Sequence, residues 1–568
     1  MKGTNTSTRL HIGDGADWHF VNGPWRDGSD HGLVVPEETL FRDGDAMQGV
    51  HYAFHRRLCY RDCTVRFQFC LQPHTDVGVV FRAQDESHFQ LVHFPSCGQA
   101  CRAQNFWAAV SGMDDSGYLR VEKRELLRRV PSTIGKSLRA SIRLTGSTVQ
   151  VRLGDYGSFE AQISGTSQPG HIGVFLYGPA QIRDIEIDGE PASTPVWQDQ
   201  LRQSKNWFHP VPAPRGTWQQ PQDFKRLSNG ELLLLFNSRS DQNQSETARS
   251  IPYLARSDDG GRSWSGSSPL TFAGETNTWF GARFHVTPKG RLIALLPDKP
   301  GGTIRDSNDG GVTWSAPTKT NLPLDRLSLA PHAFLNLSDG AMLAFPYGRF
   351  GAPISENVWT WGSVHCQAFC CRSEDDGRTW SSPVNIDTPL IDGKGQKVEG
   401  NLDLTEVSAV ELVSGRVMAF VRPISSPWMW ETWSDDGGRT WGACVRGPFP
   451  GYASPNMVRT RRGAILIAVR EPELTVFCSH DEGVTWDQGT IIDTGIWAMG
   501  SLLEVEPDLV LYVYWDSFQG LMRAQFLRVV NRMVTPVRIE KVKENENFPL
   551  DVDRCDLGEC QRSTAGEY

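Results

Sequence analysis

Glu406 and Arg422 bracket one short, strongly apolar hairpin, TEVSAVELVSGRVMAFVR, in the second half of this 568-residue chain. Other polar groups bracket similar hairpins: Gln219, Gln220 and Asp223 before one, Arg239 and Asp241 after it. Arg283 stands before the next, followed by Asp298 and Lys299. His332 comes before a third, with Tyr347 and Arg349 after it, and Asn456 before a fifth, with Arg470 and Glu471 after it. An arginine grips a carboxylate through a planar two-point fork. Two carboxylates facing one bond are the usual machinery of glycoside hydrolysis. If these groups converge, they suit an anionic ligand and acid–base chemistry. Taken singly, a charge at such a position is more often solvated or structural.

The elements that would position them are the hairpins themselves. Six segments read as strand, turn and apolar strand, starting near 223, 282, 332, 406, 456 and 500. Five turn on glycine, and the sixth turns on Pro507-Asp508. A second repeat interleaves with them. SDDGGRSW, SNDGGVTW, SEDDGRTW, SDDGGRTW and SHDEGVTW end at tryptophans 264, 314, 380, 441 and 486. Repeats at about this spacing mean a propeller or solenoid, with one unit per repeat. Six hairpins predict six blades. In each blade the inner strand starts at one rim of the central channel and the second strand returns to it, so the bracketing residues share that rim. The eight-residue repeats fall on the other rim. There Ser and Asp can bind backbone, Gly can take positive φ and Trp can wedge between neighbours. Their aspartates read as turn-formers.

The eight-residue repeats are identified as Asp boxes, and residues 205–540 resemble the sialidase-like six-bladed β-propellers. That resemblance implies roles. In the fourth blade of such propellers a Glu is the base for a nucleophilic Tyr and an Arg holds the sialic carboxylate, positions taken here by Glu406 and Arg422. Arg239 and Asp241 match a first-blade Arg and acid/base Asp, and Arg470 a fifth-blade Arg. Two departures stand out. Trp218-Gln219-Gln220-Pro221 replaces the family's aromatic-Arg-Ile-Pro, and Gly495–Gly500 offers Met499 where the Tyr would stand. A thioether cannot attack an anomeric carbon as a phenolate does.

Residues 1–190 carry no such repeat. Alternating runs at Cys63–Leu71, Val77–Arg82, His88–Phe94, Ser137–Leu144, Thr148–Leu153 and His171–Tyr177 predict a separate β domain. Its closing stretch, HIGVFLYGPAQIRDIEIDGEP, resembles the concanavalin-like jelly rolls attached to glycoside hydrolases. Phe106, Trp107 and Tyr118 are the aromatics with which such a domain would hold sugar; as a packing module it would need none of them. The fold class expected is all-β: a jelly-roll sandwich over 1–190, a linker over 191–204, a propeller over 205–540 and a tail over 541–568. A net charge of −9 argues against nucleic acid. No apolar run reaches the length of a membrane span, and no signal peptide is visible at MKGTNTSTRLHIGDG, as would also hold for a trimmed exported chain. Of twelve cysteines, Cys70 and Cys478 read as reduced core residues, Cys555 and Cys560 are spaced for a disulfide, and no cluster has zinc spacing.

Three functions follow. The first is a sialidase-like glycosidase that removes a terminal, acidic sugar from a glycan. Glu406 or Asp241 would be the general acid or base. Arg422 and Arg470, with Arg239 or Arg283, would grip the sugar, and Gln219, His332 and Tyr347 would line the site. An inverting route is as open as a retaining one, and a uronic acid or rhamnose glycan is as open as a sialoside. The second is a polysaccharide lyase with His332 and Tyr347 as base and acid. The third is a carbohydrate-binding protein without catalysis. None requires a cofactor or a metal.

Overall fold

A computed structural model describes residues 7–10, 17–21, 26–27, 33–34, 50–70, 76–85, 88–97, 103–113, 119–131, 136–163, 168–177, 180–193, 207–211, 218–239, 251–270, 282–296, 302–324, 327–350, 365–387, 404–423, 428–470, 474–493, 500–516 and 521–539. Among these residues the regular elements are strands, with no α-helix. Asp241, Tyr118, Met499, Cys555, Cys560 and the tail lie outside them, as do the side chains of Phe106, Trp107 and Arg239.

Six antiparallel blades are present. Five run inner to outer through four consecutive strands, the first being Trp218–Arg226, Leu232–Arg239, Ile251–Ser257 and Ser268–Pro269. Blade six is built from Gly500–Glu506, Leu509–Asp516 and Leu521–Val530. Its outer edge takes Trp207–Phe208 from before blade one and Met533–Val537 from the chain's end. The ring is thereby closed by backbone hydrogen bonds between segments remote in sequence. Apolar faces close the seams. Leu232, Leu234 and Phe236 of blade one meet Leu509, Leu511 and Val513 of blade six. Leu233 and Leu235 on the opposite face meet Phe284 and Leu292 of blade two. Further clusters join blades two to four and blades four to five.

The repeated turns share one geometry. In SDDGGRTW the Ser434 hydroxyl donates to Asp436 Oδ1 (2.8 Å) and accepts the Gly438 amide (2.7 Å). Asp436 also takes the amides of Arg439 (3.0 Å) and Thr440 (2.9 Å) and the Thr440 hydroxyl (2.6 Å). The fourth and fifth residues of every copy have positive φ, at +68° and +87° for Gly437 and Gly438. In two copies the fourth residue is not glycine: Asp376 at +63° and Glu482 at +59°. Both side chains offset that strain by reaching the hairpin of the preceding blade. Asp376 takes the Lys289 amide and Arg291 Nε, each at 3.2 Å, and Glu482 takes the Val413 amide at 2.7 Å. The tryptophans wedge as expected; Trp486 of blade five lies 5.6 Å from Phe420 of blade four.

The N-terminal strands form one antiparallel sheet that nearly closes on itself around the long strand Val50–Cys70. That strand pairs with Gly170–Tyr177 along its first half and with Ser137–Thr145 and Gln181–Pro191 along its second. Phe67, Phe69, Val79, Phe94, Ile142 and Val174 belong to the sheet's core. A buried chain braces three strands: His93 Nδ1 lies 2.6 Å from Asp76 and its Nε2 lies 3.2 Å from Ser111. All three are at most 1% exposed, which seals this Ser–His–Asp set from substrate. Tyr52, Phe54, Val80, Leu91 and Phe175 continue into one apolar cluster with Leu466 and Val476 of blade five and Tyr512 and Tyr514 of blade six. The domain is thus fastened to two blades. Cys70 and Cys478 are free thiols; Cys478 is buried as expected, whereas Cys70 is only partly buried.

Asp376→Gly should therefore lower stability by about 1–3 kcal/mol although it relieves the backbone, because two donors of the neighbouring hairpin lose their acceptor; denaturant unfolding measures it, and an unchanged midpoint would refute the tie. A second expectation concerns acid. Hydrogen bonds from the hydroxyl and amide of Thr485 hold Asp481 down at about 2, below its ordinary 3.8. A carboxyl depressed on folding stabilises above its unfolded value and loses that contribution as pH falls through the folded one. Melting temperature should drop between about pH 4 and pH 2, with a shallower drop in Asp481→Asn.

Candidate active site at the channel mouth

The inner strands break register at the same end in four blades. In blade four, Leu404 opposes Pro423 but Val407 opposes Val421, so one extra residue is accommodated around Thr405 and Glu406. Blade one slips between Pro221 and Asp223, blade three between Leu329 and Phe334, and blade five between Tyr452 and Asn456. A β-bulge bends its strand and re-aims side chains, and bulges gather beside functional sites. Pro221, Pro331 and Pro455 mark three of the four. Proline inside a strand is confined to edges and bulges, so these prolines are the trace that the bulges leave in the sequence.

The bulge in blade four brings Glu406 to Arg422, whose Nη1 donates to Glu406 Oε2 at 2.6 Å. Both are buried, at 8% and 4% exposed. Removing one partner from such a pair costs roughly 3–5 kcal/mol, since the other charge is stranded. Arg283 of blade two is buried as well. Burial pulls its pKa down, while the charges of Asp223, Tyr347 and Glu406 push it back up, which places all three in its field. Three of its five N–H donors go to the chain: Nε to the Leu329 carbonyl (2.9 Å) and Nη1 to Gln222 (2.5 Å) and the Ala282 carbonyl (2.9 Å). The structure shows Arg283 holding blade one to blades two and three.

His332 sits on the blade-three bulge at φ +64°. Its ring Nδ1 lies 3.3 Å from the Ser501 hydroxyl of blade six, and Nε2 is buried with no partner among the described residues. Burial first, then the charges of Lys225 and Arg283, hold this imidazole well below its ordinary value, so it is neutral. Asp223 and Asn456, which the sequence pattern also brings to the rim, serve as braces. Asp223 Oδ2 accepts the Phe284 amide of blade two at 2.8 Å, and Oδ1 the His332 amide at 3.4 Å. Asn456 Oδ1 accepts the Leu502 amide of blade six at 2.5 Å. Burial raises the Asp223 carboxyl, with Lys225 3.7 Å away opposing that rise.

Glu406, Arg422, Arg283, Tyr347, Asp223 and His332 are therefore gathered at one mouth by the inner strands of blades one to four and the second strands of blades three and four. Arg470 is buried at the seam of blades five and six, where its charge acts on Tyr512. Gln219 is buried on the blade-one inner strand. Arg239 ends the second strand of that blade. No group of three or more metal-ligating side chains occurs among the described residues.

Residues 297–499 match the family described as a BNR repeat-like domain. The comparison with curated proteins returned no match. Among solved structures, a protein of unknown function from Dyadobacter fermentans is 16% identical, with 57% of this chain and 98% of that one covered, at a TM-score of 0.45. A Hadza microbial sialidase is 15% identical, with 86% and 95% covered, at a TM-score of 0.45. A leech intramolecular trans-sialidase is 11% identical, with 82% and 93% covered, at a TM-score of 0.41. With six blades closed into a ring, five repeated turns of one geometry and the match over 297–499, the chain is a six-bladed β-propeller that contains a BNR repeat-like domain.

Proposed function

We propose that the protein is a glycoside hydrolase that removes a terminal, acidic sugar from a glycan, working at the mouth formed by blades one to six. The observation that carries this reading is the buried Glu406–Arg422 pair, aimed by a bulge into a mouth that also holds Arg283 and Tyr347. The named charges there are two carboxylates, Asp223 and Glu406, against Lys225, Arg283 and Arg422. That leaves room for one more anionic group, as a sialic or uronic acid would bring. Glu406 is the acid–base residue in this reading and Asp241 its partner carboxylate. Arg422, Arg470 and Arg239 hold the sugar's acid or hydroxyl groups, while Gln219, Tyr347 and His332 line the site. Arg283 contributes charge, and its hydrogen bonds tie the blades. The domain division 1–190, 191–204, 205–540 and 541–568 belongs to the same proposal, with glycan binding assigned to the N-terminal domain. A second reading, a lyase, draws on the neutral His332 with its unpartnered Nε2, which has the form of a base for a proton beside a uronate carboxyl.

Turnover of a fluorogenic sialoside beside uronic acid and rhamnose glycosides tests the first reading. Glu406→Gln keeps an acceptor for Arg422 and should cut kcat/KM on the cleaved substrate by about 100-fold or more. Full activity in that variant, or silence of the wild type on every glycoside, would overturn it. An unsaturated, ultraviolet-absorbing product would establish the lyase instead.

A further inference from the structure

Asn237 is 3% exposed, and both Oδ1 and Nδ2 are buried with no hydrogen-bond partner among the described residues. It stands near the rim end of the blade-one strand Leu232–Arg239. Directly across the pair is Gln220, itself 9% exposed. Residues directly opposed in an antiparallel pair place their side chains on one face, about 5 Å apart. On its other side Asn237 opposes Pro252, which has no amide hydrogen to offer. That face also carries Leu233 and Leu235 and meets blade two, where Ala282 and Phe284 lie.

A buried amide with both ends unpaired is costly to the fold. A primary amide is also a side-by-side donor and acceptor, which matches two adjacent sugar hydroxyls, one accepting and one donating. The ring order sets blade one across from blade four, which carries the Glu406–Arg422 pair. We propose that Asn237, backed by Gln220, is a specificity-determining subsite that reads a vicinal diol of the bound sugar, while blade four handles its charged or reacting part. The inference rests on the glycan reading above. It adds which part of the ring is recognised and where.

Ligand-observed NMR on the full chain with N-acetylneuraminic acid, D-glucuronic acid and L-rhamnose tests it without requiring turnover. Wild type should bind at least one of these sugars, and Asn237→Leu should weaken that binding tenfold or more with a melting temperature equal to or above wild type. Asn237→Asp keeps the shape but loses both N–H donors, and it should weaken binding while remaining folded. Undiminished sugar binding in both variants would overturn the subsite and point to a buried water. A clear fall in the melting temperature of Asn237→Leu would also overturn it, by showing that the folded chain satisfies the amide. Absence of any sugar binding by wild type would refute it as well. The two proposals fail separately: hydrolysis lost in Glu406→Gln but with KM unchanged in Asn237→Leu removes only the subsite. Binding lost in Asn237→Leu with no hydrolysis by any form removes only the hydrolase.

Discussion

Every inner strand of a propeller has an edge facing the channel, and its backbone amides need acceptors there. In this protein the neighbouring blade supplies them through side chains. Asp223 of blade one takes the Phe284 amide of blade two, Ser408 of blade four takes the Met457 amide of blade five, and Asn456 of blade five takes the Leu502 amide of blade six. Each bond crosses a seam, so an inner strand cannot shift without its neighbour. The lacing makes the mouth a rigid frame, and a rigid frame holds Glu406 and Arg422 in one geometry despite the cost of burying both.

The opposite rim solves a different problem with local means. There the serine, the aspartate and the threonine (Ser263 in the first copy) of each repeated turn satisfy one another and the turn's amides within eight residues. Tryptophan carries the contact outward to the preceding blade, as Trp486 does to Phe420 and Trp441 to Phe345. The division between rims is physical. Turns that close on themselves can repeat almost unchanged, whereas the mouth has bulges of different size in blades one, three, four and five. Variation in the mouth is where chemistry can be placed without disturbing the ring.

A third constraint lies where the N-terminal domain meets blades five and six. Asp493 accepts from the Tyr514 hydroxyl at 3.0 Å and from Arg523 at 2.8 Å, Gln525 donates to that hydroxyl at 2.7 Å, and the Arg523 guanidinium lies 4.3 Å from the Trp207 ring centre. Trp207 belongs to the segment that closes the ring. Ring closure and interdomain packing therefore share residues, and the apolar cluster around Tyr512 and Tyr514 extends both.

Sequence alone determined the blade count and the turns, because both are local: a hairpin's period of two and its glycine lie within about fifteen residues, and the repeated turn closes within eight. It also indicated Glu406 and Arg422, because both bracket one hairpin. Only the tertiary structure decided what those rim residues do. Asp223 meets Phe284 and His332 across two seams, Arg283 binds backbone and Gln222 through Nε and Nη1, and Asn456 braces blade six. Such roles depend on which edge amide lies within reach once the ring has closed, and a hydrogen bond between residues 61 positions apart, as between Asp223 and Phe284, leaves no periodic trace in the chain.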